Sequence, residues 1–233
     1  MSRQWLSPLL ATLVAAAPTY AEAESQVEKA LGQQTELEFV ATPLDDALSF
    51  LSDRHNVQIK CDTAAFAKAK RKTDDPVNHI LKGISLRSGL NILTHEIGCE
   101  YRVEDDRIVV VPEGMQKRPG GGKPAPPRPR PKGNERIRKV LESETGFEFE
   151  KTPLKDALTF LATIHGTQVV LDNRAIREAK IDLDAGVTAK SAPGGTLKNE
   201  LKKMLGPFKL EARVENEVVF ITTAPAKPAG KAK

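Results

Sequence analysis

Leu44, Ala47, Leu48 and Leu51 fall at the i, i+3, i+4, i+7 spacing that turns one stripe of a helix toward a core. Leu154, Ala157, Leu158 and Leu161 repeat that stripe further along the chain. Ahead of each helix, Leu37-Glu38-Phe39 and Phe147-Glu148-Phe149 alternate in polarity and predict a strand. Short amphipathic lead-ins precede them, Val27 to Leu31 and Ile137 to Leu141. After each helix, Val57-Ile59-Cys61 and Thr167-Val169-Leu171 alternate as strands with one buried face. A further strand, near Val77 to Leu81 or Val187 to Ser191, leads to a second helix capped by Ser85 or Thr196. A hairpin closes each unit, turning at Glu104-Asp105-Asp106 or Glu215-Asn216-Glu217. Its last strand is Ile108 to Val111 or Val218 to Ile221.

These parallels are one duplication. At a constant offset of 110, identical pairs include Phe39/Phe149, Leu44/Leu154, Phe50/Phe160, His55/His165, Gln58/Gln168 and Asp62/Asp172. One residue inserted in the second copy carries the match on to the closing hairpin. Two copies are a tandem pair, since a solenoid needs at least three stacked units. The predicted class is α+β, with two tandem β-α-β-β-α-β-β modules, each two helices on a small sheet. The first spans residues 24–112 and the second 135–223. Thr42 and Thr152 are expected as N-caps, with Pro43 and Pro153 at the first helical position. Asn56 and Gly166 hold the equivalent terminating position, which both residue types occupy in the left-handed conformation.

The run Phe-x-x-Thr-Pro-Leu-x-Asp-Ala-Leu-x-Phe-Leu from Phe39 and from Phe149, the strand ending at Asp62 or Asp172, and the closing hairpin resemble the secretin and TonB short N-terminal domain. The resemblance covers nearly all of both copies and rests on a distributed apolar pattern. It implies an envelope docking module that grips protein partners or neighbouring subunits. No secretin core or receptor barrel is expected after Thr223, so channel formation and siderophore uptake are not implied.

Residues 1–23 read as a signal peptide, with Arg3, an apolar run from Leu9 to Ala17, then Pro18 and small residues at Ala21 and Ala23. That run is too short to span a bilayer, so no integral membrane segment is expected after cleavage, and the mature chain is expected in the periplasm. The formal net charge of +4 is unevenly spread. Residues 113–133 carry +5 and the tail from Ala224 carries +3, whereas 24–112 carry −4 and 134–223 are neutral. A nucleic-acid binder places its basic groups on a folded face, so nucleic acid is not expected as a partner. Residues 113–134 read as a disordered Pro/Gly-rich basic linker, semi-rigid in its proline-dense part, and 224–233 as a disordered basic tail.

Candidate chemistry is thin. His55 and His165 fall in the last turn of a helix, where an imidazole is expected to serve the unpaired carbonyls rather than a ligand. His79 and His95 have no counterparts in the second copy, and His95-Glu96 lacks the second His of a zincin motif. Asp45-Asp46 and Asp105-Asp106 read as an exposed helical turn and a hairpin turn. Gly120-Gly121-Gly122 and Gly194-Gly195 lack the context of a phosphate loop. Cys61 and Cys99 lie at apolar strand positions of the first copy only, where the second has Leu171 and either Lys209 or Leu210. A disulfide and a pair of buried thiols are both open. The expectation is an exported, non-enzymatic adaptor without metal or cofactor, gripping an envelope protein by strand addition. The alternatives are a self-assembling ring or scaffold component, and an envelope-polymer binder using the basic linker.

Overall fold

The structure is a computed structural model and describes residues 26–104, 106–115 and 133–224. The signal peptide at 1–23, most of the linker, the tail beyond Ala224 and Asp105 lie outside the described residues. The first module runs α1 (Gln26–Gly32), β1 (Gln34–Pro43), α2 (Leu44–His55), β2 (Ile59–Cys61), α3 (Thr63–Lys68), β3 (Pro76–Ser85), α4 (Leu86–Glu96), β4 (Cys99–Glu104), β5 (Arg107–Pro112). The second repeats it as α5 (Gly133–Leu141), β6 (Glu148–Pro153), α6 (Leu154–Ile164), β7 (Val169–Leu171), α7 (Asn173–Glu178), β8 (Gly186–Lys190), α8 (Leu197–Leu205), a short 3-10 turn, β9 (Leu210–Glu215), β10 (Val218–Thr223).

The fold is α+β, two similar modules of small sheets packed with helices. Each module holds two sheets rather than one. In the first, β1 pairs antiparallel with β3, and β5 lies between parallel β2 and antiparallel β4. In the second, β6 pairs with β8, and β10 lies between β7 and β9. The alternating strands bury one face each, and the apolar stripes of α2 and α6 are fully buried.

Two short helices exceed the sequence expectation. Asp62 and Asp172 do not merely end a strand: each accepts a hydrogen bond from the backbone N–H three residues on, at 2.9 Å from Ala65 and 3.0 Å from Ala175. These N-caps start α3 and α7, six residues each, too short to display a helical period.

The capping expectation at Thr42 and Thr152 is corrected. Pro43 and Pro153 themselves occupy the N-cap position, and neither helix has a side-chain cap. The first donors of α2 go instead to loop carbonyls, Leu44 N–H to Asp75 at 3.0 Å and Asp45 N–H to Thr73 at 3.2 Å. In α6 the same bonds run from Leu154 to Ala185 and from Lys155 to Leu183. A tertiary contact about thirty residues away satisfies the orphaned amides, so the hydroxyl is not needed. Asn56, at φ 50°, and Gly166, at φ 55°, take the left-handed conformation at the helix ends.

Candidate interaction surface

The imidazoles of the duplicated helix bond side chains rather than the unpaired carbonyls, although His165 itself stands at the C-cap position of α6. His55 Nδ1 lies 3.0 Å from Gln33 Oε1, and its Nε2 lies 3.0 Å from Thr35 Oγ1. His165 reaches Ser143 Oγ at 3.1 Å and Thr145 Oγ1 at 2.9 Å in the same way. Both imidazoles tie the helix end to the chain leading into the first strand, His55 reaching Thr35 within β1 itself. Burial lowers the pKa of each, with Arg54 adding to the effect at His55.

A Cys61–Cys99 disulfide does not form in this structure, where both are free thiols. Cys61 is on β2 and Cys99 on β4, with β5 between them. Two strand spacings of about 4.8 Å put the Cα atoms farther apart than the ~7 Å a bridge tolerates. The second-copy equivalent of Cys99 is Leu210, at the start of β9. Burial, then the neighbouring Asp45, pushes the Cys61 thiol far above its ordinary pKa. Burial pushes Cys99 to about 11 against the opposing charge of Arg71. Neither is a ready nucleophile.

Each module has a core of its own, and the two are docked. On β10, Val219 and Ile221 point into the second core, while Val218 and Phe220 point outward and join the first. Val170 of β7 joins them. Burial on both faces is why β10 reads as a continuous apolar run. The surface receiving them is built from β3 and the outer side of α4. Gln168 pairs its side-chain amide with the backbone of Lys82, accepting from its N–H at 2.9 Å and donating to its C=O. Asn91 donates to Asn216 at 2.9 Å, and the Ser85 N–H donates to Glu217.

Two histidine–carboxylate contacts finish the seam. His95 Nε2 stands 3.3 Å from Asp172 Oδ2, with its ring edge-on to Phe220 at 5.6 Å. Burial alone would raise the Asp172 carboxyl. The Ala175 amide, the Thr222 hydroxyl at 2.7 Å and His95 outweigh it and hold the group below the ordinary Asp value. In the first module His79 Nε2 sits 2.7 Å from Glu96 Oε2, and Asn173 reaches across to Glu96 at 3.1 Å. Burial raises Glu96 too, but bonds from His79, Asn173 and the backbone lower it net.

The seam joins unlike faces, the outer sheet face of the second module and the β3–α4 face of the first. Comparing the copies position by position shows why it occurs once. Ile80, Asn91, Ile92 and Gly98 line it in the first module. Their second-module equivalents are Lys190, Lys202, Lys203 and Lys209. Gly98, at φ +61°, lets Arg174 approach so closely that a Cβ would stand 3.2 Å from its Nη1. Lys209 holds the same left-handed backbone, at φ 57°. The opposite face shows the reverse exchange: Val170 and Val218 have Lys60 and Arg107 as counterparts in the first module. Sequence reasoning tracked the identities between the copies and missed these differences, which mark the seam.

Among the described residues, no group of three or more His, Cys, Asp or Glu is placed to hold a metal ion, and no helix is long and apolar enough to cross a membrane. The clefts along the seam are open and polar, one of about 680 Å³ between Arg71, Glu96, Glu113, Arg174 and Arg177. Its charges neutralise one another, Arg174 binding Glu113 at 2.8 Å and Arg71 binding Asp75 at 2.9 Å.

No family model matches the chain, and no curated protein matches it. Two crystal structures of a candidate anti-sigma factor from Parabacteroides distasonis, at 1.65 and 2.50 Å resolution, are similar to part of it. Each aligns with 28% identity and a TM-score of 0.30 over 34% of this chain. The chain spans about a third of the length of the solved protein, 34% in both cases.

Proposed function

We propose that this chain is an exported, non-enzymatic adaptor of the cell envelope, whose two modules act as one docked platform for a protein partner. The observation that supports it most is the single-use seam. One module's sheet face fills the other's β3–α4 face, and the remaining copy of each face carries lysine or arginine where the seam has neutral residues. Such a pair presents finished surfaces and open strand edges, and the charged side chains along the seam are engaged with one another, as in the Arg174–Glu113 and Arg71–Asp75 pairs. The resemblance to short N-terminal modules of secretins and TonB-linked receptors agrees with a docking role, as does the leader-like start of the sequence. A ring or filament built by repeating the seam is disfavoured, because lysines occupy the next acceptor face.

The test is site-resolved photo-cross-linking in cells. A photoreactive residue at Val40, Val103 or Lys190, on the edges of β1, β4 and β8, is expected to give a discrete protein adduct in the envelope fraction. The same residue at exposed Arg136 on α5 serves as the control. Adducts from no edge position, or the same smear from every position, would overturn the adaptor reading. Amino-terminal sequencing of the fractionated protein checks export, a start at Glu22 or Glu24 being the expected result.

A further inference from the structure

The face that the seam uses in the first module is not simply blunted in the second; it is hollow. In the first module, His79 of β3 reaches Glu96 at the end of α4 and plugs the space between strand and helix. The equivalents are Ala189 and Pro207, so the plug is missing. A groove of about 270 Å³ remains between β8 and the α8 side of the module. All five residues of β8 line it, with Phe147, Met204 and Phe208 among its apolar walls. On its other side β8 has β6, so the groove lies along the unpaired edge.

We propose that this groove takes an extended, acidic segment of a partner protein, added as a strand to β8. The proposal rests on the adaptor reading and names the partner's chemistry. Three observations carry it. First, the molecule already uses the outer edge of β3 as a receptor: Gln168 pairs with both backbone groups of Lys82, as an added strand would. The counterpart of Lys82 is Ala192, two residues past the end of β8. Second, β8 alternates in burial, with Val187 and Ala189 turned inward and Thr188 and Lys190 outward. An added strand therefore needs apolar side chains on one face and polar ones on the other. Third, the surroundings are basic: Lys190 and Lys203 line the groove with the buried Glu200, and the exposed Lys202 and Lys209 adjoin the lining residues Lys203 and Phe208 along the chain. Glu148 binds Lys190 at 2.9 Å and Glu200 binds Lys203 at 2.7 Å, which leaves Lys202 and Lys209 in excess. The chain's own segments at 116–132 and 225–233 are basic and are repelled by this rim. That argues against the chain's own segments, and the occupant proposed is a foreign chain.

The probe is a capped alternating peptide, EVEFEVE, titrated into the full mature chain, with KVKFKVK as its charge-reversed partner. Nuclear magnetic resonance of the backbone amides is expected to place EVEFEVE on β8, and to find KVKFKVK at least about tenfold weaker. Ala189→His combined with Pro207→Glu restores the first module's plug and is expected to weaken EVEFEVE about tenfold or more. Thr188→Pro, which removes an edge amide, supplies a second variant if the first disturbs folding. Equal binding of both peptides, binding mapped away from β8, or no binding up to about 1 mM overturns the proposal. A dimer in light scattering that EVEFEVE dissolves assigns the groove to a second copy and also overturns it. Cross-links from Val40 or Val103 with no peptide at β8 would leave the adaptor reading standing while the groove falls.

Discussion

The two modules share a backbone plan down to their left-handed residues, yet they meet the outside differently. In the first, the β3–α4 face carries Asn91, Ile92 and Gly98 under its sister, with Ile80 at the rim and 67% exposed. In the second, the same positions are all lysine and the face is open. The sheet faces diverge the other way: Val170, Val218 and Phe220 are buried in the seam, whereas Lys60 and Arg107 are exposed. After a duplication, two like modules could stack without end. Charging one copy of each face allows a single pairing and stops it there. The core stripes did not need to change, and Leu44/Leu154 through Leu51/Leu161 are identical.

The harshest way to break this comparison is to charge the face that is still apolar. Val218→Asp places a carboxylate where no solvent reaches, at 0% exposure, with a cost on the order of 3 kcal/mol or more. The seam is the weaker structure, so it is expected to open before the second module unfolds. Small-angle scattering should show a larger radius of gyration with unchanged helical circular dichroism. Arg107→Asp, at the equivalent and already charged position, should leave the scattering curve as it is. A compact Val218→Asp protein would mean that β10 contributes little to docking.

A smaller contrast separates the paired caps. Asp62 caps α3 and meets Arg102 at 3.3 Å in a half-exposed setting. Asp172 caps α7, accepts from Thr222 and meets His95 across the seam, all while buried. Asp62→Ala is expected to cost about 1 kcal/mol, and Asp172→Ala about 2–3 kcal/mol, because the latter strands buried donors. Urea midpoints of the two variants measure this, and equal shifts would remove the special standing of Asp172.

These caps also show what the sequence disclosed. The stripes of α2 and α6, the alternation of the strands and the Asn56/Gly166 terminators are local signals, and local signals survive in one dimension. The N-caps at Thr42 and Thr152 were misread because loop carbonyls at Asp75 and Ala185, far along the chain, satisfy the same amides. The bridging role of His55 and His165 was legible in the repeated Thr35/Thr145, had the imidazole partners been sought across the connection. The seam was hidden because it depends on which face meets which, a tertiary fact whose trace is an exchange of neutral residues for lysine.

Acid should sharpen the comparison of the histidine bridges. Burial lowers the pKa of His55 and His165 in the folded protein, so the unfolded chain binds protons first as pH falls. Stability from these groups is complete above about pH 6.5 and declines as pH drops below that unfolded value. Glu96 and Asp172, also lowered, lose their contribution only under more acidic conditions, as pH falls toward and below the ordinary carboxylate range. Chemical unfolding at pH 7.5 and 5.5 is expected to show a loss of stability that His55→Gln reduces more than His165→Gln, since His55 is the more buried. An unchanged pH slope in His55→Gln would place the acid sensitivity elsewhere.

The finest contrast is the left-handed pair. Asn56, at φ 50°, and Gly166, at φ 55°, end equivalent helices in nearly the same backbone conformation. A side chain there costs about 1 kcal/mol, somewhat less for Asn, while glycine loses more freedom on folding. The two effects nearly cancel for Asn56→Gly, so its expected shift is within about 0.5 kcal/mol. Gly166→Ala has no such compensation: open space surrounds the Cβ, but the backbone conformation itself is strained. It should lose about 1 kcal/mol, seen as a lower midpoint for the second module alone. If Gly166→Ala proved neutral, the helix end would be relaxing out of the left-handed region. The likeness of the two modules at this position would then be one of appearance, held by the following strand rather than by the terminator itself.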